Sequence, residues 1–91
     1  MNTEILQSFN SVNFAIMPVD KMPLITVCFN PTDYPNKYTA RLFLIGNGNT
    51  YATSALMVED TLEDIRKGIP PFFTRVDRDS KDDPVIVEVW I

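Results

Sequence analysis

Acid–base chemistry in this chain would have to run on carboxylates, because its 91 residues include twelve Asp and Glu, one cysteine and no histidine. The missing imidazole removes the commonest general base near neutral pH and, with it, Ser–His and Cys–His nucleophile systems. One Cys without His cannot assemble a closed tetrahedral zinc set. Cys28 lies inside the apolar run Leu24-Ile25-Thr26-Val27-Cys28-Phe29. No neighbouring base there favours a thiolate, so it reads as a small core hydrophobe. An Asp or Glu pair working with Arg is the one catalytic arrangement left open. Most acids, however, fall in two clusters at residues 59–64 and 77–83, where solvation is the default. No catalytic set, metal or cofactor is expected.

Two motifs invite comparison with ligand loops and fail it. Asp77-Arg78-Asp79-Ser80-Lys81-Asp82-Asp83 is followed by Glu88 at an EF-hand-like distance. Lys81 and Asp82, however, stand where a calcium loop needs an oxygen ligand and a glycine. Gly46-Asn47-Gly48-Asn49 lacks the Lys-Ser/Thr ending of a phosphate loop, and tight-hairpin chemistry explains it fully.

Binding is better served than catalysis. Phe72 and Phe73 precede the acidic loop of Asp77, Asp79, Asp82 and Asp83, and Trp90 lies on the last strand. Aromatics beside charged groups make interface anchors, so these seven residues are the candidate partner-binding set. A net charge of −4 argues against nucleic acid, which requires a basic surface, and suits a basic protein partner. A homodimer through a sheet edge or the Trp90 face is a further expectation.

The elements that must position these residues are short. The expected fold is a single α+β domain: a mainly antiparallel four-stranded sheet in the order β-β-β-α-β, with one helix on one face. Strands are expected at residues 24–29, 38–45, 50–58 and 85–91, from their β-branched and aromatic content and their alternation. Thr74-Arg75-Val76 could add a short strand. Tyr38, Ala40, Leu42 and Leu44 should share one face, and Thr39, Arg41, Phe43 and Ile45 the other. The helix is expected over 60–67, capped by Asp60 or Thr61, with acids leading and Arg66-Lys67 following. Gly68 suits a left-handed terminus, and Pro70-Pro71 forbids continuation. In the last strand Val85, Val87, Val89 and Ile91 should form the buried face. Glu88, between Ile86 and Trp90, then needs water or a partner such as Arg41. Residues 1–22 are the least legible: Ile5, Leu6 and Phe9 have helical spacing, whereas Val12, Phe14 and Ile16 alternate. The absence of a basic leader and of any membrane-length apolar run points to a cytoplasmic protein with no membrane contact.

From Leu62 through Ile69-Pro70-Pro71, Arg78 and the ending Asp82-Asp83-Pro84-Val85-Ile86-Val87-Glu88-Val89-Trp90-Ile91, the chain resembles a group of short bacterial proteins of no assigned function. The strand, Gly-Asn turn, strand and Glu59-Asp60-Thr61-Leu62-Glu63 helix opening are similar to the HicB-type antitoxin fold, although Glu59 replaces that family's glycine and the helix is shorter. The expected function is a non-enzymatic small acidic protein that binds or inhibits another macromolecule, of the kind carried by phages and mobile elements. An antitoxin-like or regulatory component is the alternative, and a carboxylate-based enzyme the third.

Overall fold

The computed structural model describes residues 3–16, 20–77 and 84–91. They form one mostly antiparallel six-stranded sheet with a single α-helix. In chain order the elements are β1 (Glu4–Ile5), two 3-10 turns (Phe9–Ser11 and Phe14–Ile16), β2 (Met22–Phe29), β3 (Tyr38–Gly46), β4 (Asn49–Glu59), α1 (Leu62–Lys67), β5 (Arg75–Asp77) and β6 (Ile86–Trp90). The spatial order is β1-β4-β3-β2-β6-β5. The α+β class is as expected, but the sheet has six strands and not four. Both additions are edge strands: β1, of two residues, is too short to show periodicity, and β5 is the short strand expected at Thr74-Arg75-Val76, displaced by one residue. β1 is held by parallel pairing to β4 and β5 by antiparallel pairing to β6.

The centre follows local chemistry. β3 and β4 are joined by Asn47 and Gly48, both with positive φ (54° and 75°), the left-handed pair that a two-residue hairpin requires. α1 begins at Thr61, whose side chain accepts from the Asp64 N–H at 3.1 Å, so Thr61 and not Asp60 is the cap. Gly68 departs from expectation: its φ of −89° is open to any residue. Its lack of a Cβ matters instead because one would collide with the Met57 Sδ and Cε.

One face of the sheet carries the core. Ile25, Val27, Ala40, Leu42 and Met57 pack there against Ile65 and Ile69 of the helical connection, and against Phe9 and Phe73. The N-terminal segment belongs to this layer. Its Leu6 N–H donates to the Leu56 carbonyl at 2.7 Å and its Phe9 N–H to the Gly68 carbonyl at 2.8 Å. Neither the helix nor the extended stretch expected there forms. Ile5 is in a strand, and Phe9 and Phe14 lie in 3-10 turns.

β6 overturns the expected alternation. A register shift leaves Val87 without an opposite number: Val89 faces Thr26, Glu88 faces Val27, and Ile86 faces Cys28. A bulge of this kind changes which residues share a face. Glu88 lies on the core side because it opposes Val27, and it is 2% exposed; Val87 packs on the core as expected, whereas Val85 and Ile91 are exposed. Its partner is Arg66, not Arg41: the Arg66 Nε donates to Glu88 Oε1 at 3.0 Å. Trp90 shares that side and packs against the core cluster.

Candidate functional site

The second face of the sheet is built from Leu24, Thr26 and Cys28 of β2, opposite Phe43, Arg41 and Thr39 of β3, with Leu56 of β4 opposite Arg41. Among the described residues no helix packs on it. One row crosses all six strands: Ile5, Leu56, Arg41, Thr26, Val89 and Val76 are successive cross-strand partners. The row is apolar towards both edges and cationic in the middle.

At Arg41 this face is concave. A hollow of about 210 Å³ is lined by Thr26, Cys28, Thr39, Arg41, Phe43 and Leu56, with Pro31, Asp33 and Tyr34 forming a wall. The wall is the loop between β2 and β3. Positive φ at Asn30 and Asn36 turns it (57° and 61°), and a bond from the Asn36 N–H to Asn30 Oδ1 at 2.8 Å closes it. Asn tolerates this conformation better than other non-glycine residues.

The floor is shaped by a second irregularity. Between Arg41 and Phe43 the register against β4 shifts from Leu56 to Ala52, which leaves Thr53, Ser54 and Ala55 to oppose Leu42 alone. The Thr53 hydroxyl donates to the Leu42 carbonyl at 2.7 Å and accepts from the Ala55 N–H at 3.2 Å. Arg41 Nη1 donates to the Thr53 carbonyl at 2.8 Å. The bulge that widens the strand thus also orients the guanidinium.

Arg41 is electrostatically unusual. Every other described Lys and Arg has a carboxylate partner: Lys21 with Asp20, Lys37 with Asp60, Arg66 with Glu88, Lys67 with Glu63 and Arg75 with Asp77. Among the described residues Arg41 alone has none, in a chain with more acids than bases. Asp33 is the single carboxylate lining the hollow. The geometry offers one cation, hydroxyls from Thr26, Thr39 and Tyr34, and apolar walls. A pair of acids, which carboxylate catalysis would use, is not brought together there. Among the described residues no group of three or more Cys, Asp or Glu could hold a metal ion, and no helix is long and apolar enough to cross a membrane.

The seven residues singled out from the sequence do not converge on this hollow. Phe73 is 6% exposed in the core, which corrects its reading as a surface anchor: the connection after α1 tucks it beneath Phe14, at a ring distance of 5.4 Å. Phe72 is 65% exposed, touching Phe14 and Phe73 at one edge. Trp90 is part of the helix-side layer, with its indole Nε1 buried and without a hydrogen-bond partner. Asp77 is exposed at the sheet edge and 3.5 Å from Arg75. Asp79, Asp82 and Asp83 lie outside the described residues. Sequence reasoning missed Arg41 as a site, although alternation placed it beside Thr39 and Phe43. Alternation gives two faces but not which of them the helix covers.

No family model matches this sequence, and neither the curated proteins nor the solved structures include a significant match to it.

Proposed function

We propose that this protein is a non-enzymatic binding protein that docks a partner protein on the helix-free face of its sheet, with the hollow at Arg41 as the anchor pocket. The observation that carries this reading is the six-strand row itself, from exposed Ile5 to exposed Val76 with Arg41 at its centre. An apolar surface around a shaped pocket that can take one anchoring group is the usual anatomy of a protein interface. The hollow is also below the roughly 300–1,000 Å³ of ordinary small-molecule pockets, which favours one inserted residue over a bound cofactor.

Site-specific photo-crosslinking tests this. A photoreactive phenylalanine at Tyr34, on the rim, should give a discrete adduct in extract of the source cell, and Arg41→Glu should abolish it. The same group at Glu63, on the outer side of α1, should give none. Equal adducts from both positions, or none from Tyr34, would overturn the proposal.

A further inference from the structure

We infer that the hollow is a carboxylate-binding subsite, and that its occupant is the C-terminal residue of a partner chain, apolar in side chain. This inference rests on the docking reading above and deepens it.

Three observations converge on it. First, Arg41 is the described cation left without a carboxylate, and it is half-buried on a sheet face. A partly desolvated guanidinium gains most from a charge-assisted, two-point contact with a planar anion. Second, only one of its nitrogens is engaged. Nη1 is held by the Thr53 carbonyl, while Nε and Nη2 make no hydrogen bond to any described residue. Those two nitrogens form the fork that grips a carboxylate, and the Thr53 contact fixes its plane beforehand. Third, the surroundings are apolar: Phe43, Leu56 and Pro31 line the same hollow. A phosphate group would leave those walls unused, and an Asp or Glu side chain would bring only one or two methylenes to them. A chain terminus carries an anion and an apolar side chain on the same carbon, and about 210 Å³ accommodates one such residue.

Asp33 sets the sign of a control. It is the one acid at the rim, so it should repel the incoming carboxylate weakly, through solvent.

Amide chemical shifts of the ¹⁵N-labelled full chain provide the test, with N-acetyl-phenylalanine, its C-terminal amide and inorganic phosphate as probes. The acid should move the Thr26, Thr39 and Phe43 signals saturably. The amide should move them at least about tenfold less readily, the scale of one lost charge-assisted bond, and phosphate should be weaker than the acid. Arg41→Gln should lose the response. Asp33→Asn, an exposed loop change that spares the core, should tighten binding up to about threefold. Equal binding of acid and amide, stronger binding of phosphate, or an undiminished response in Arg41→Gln would overturn the inference. Failure here with intact Tyr34 crosslinking would leave the docking face standing with another occupant. Binding of the acid without crosslinking would separate the two in the opposite sense.

Discussion

Arg66 and Glu88, 22 residues apart, join α1 to β6 through a 3.0 Å bond between Nε and Oε1. The carboxylate is 2% exposed and the Arg66 side chain 45%. The helix therefore brings a cation from the solvent side to a buried anion on the strand next to the sheet edge. Glu88 Oε2 is buried without a hydrogen-bond partner, so the pair carries a desolvation cost that its one bond only partly offsets.

Breaking that pair from one side should be costly. Arg66→Met strands a buried carboxylate and should lower stability by about 2–3 kcal/mol, below the fully buried case because Arg66 is half exposed. Replacing both residues with Met should recover most of the loss or exceed wild type. A urea-denaturation cycle over the four variants reads this, and a double variant as unstable as Arg66→Met would contradict it.

Gly48 and Gly68 should both resist alanine, for different reasons. At Gly48 there is no atom for a Cβ to meet, but φ is +75°, so Gly48→Ala should cost about 1–2 kcal/mol through backbone strain. Gly48→Asn should recover part of it, since Asn tolerates that region. At Gly68 the backbone admits any residue and Met57 is the obstacle. Gly68→Ala should cost about 1–3 kcal/mol by overpacking, and Gly68→Asn should be worse. Thermal midpoints of the four variants separate the two mechanisms.

The aromatic residues near the N-terminus and the helical connection should differ sharply in worth. Phe9 is fully buried, and Phe9→Ala should cost about 3–5 kcal/mol. Phe72→Ala, at 65% exposure, should cost under about 1 kcal/mol. Similar denaturation midpoints for the two variants would contradict the placement of residues 3–16 in the core layer.

Thr53→Val keeps the side-chain volume and removes the hydroxyl that bonds Leu42 and Ala55. The expected loss is about 1–2 kcal/mol. Its effect should reach Arg41, whose guanidinium is held by the same residue's carbonyl. Larger amide shift changes at Arg41 and Phe43 than at Ile65, across the sheet, would bear out that coupling.

Elements governed by neighbours in the chain were legible in the sequence. The Asn47-Gly48 turn needs left-handed residues, the Thr61 start needs a short oxygen-bearing side chain, and Pro70-Pro71 must end the helix. The alternation of β3 correctly put Thr39, Arg41 and Phe43 together, because the period of a strand is a property of its own backbone. Tertiary structure decided the rest. The two-residue strand β1 exists only because β4 offers it hydrogen bonds, and 3-10 turns at Phe9 and Phe14 have no periodic signature. Pairing with Val27 and Ile25 of β2 turned Glu88 and Trp90 towards the core, so the residue that looked solvated, Glu88, is buried and finds Arg66. The candidate site belongs to this second class. Arg41 is one charged residue in a strand until packing settles which face α1 covers, which wall the loop supplies, and which of the described cations is left without an acid.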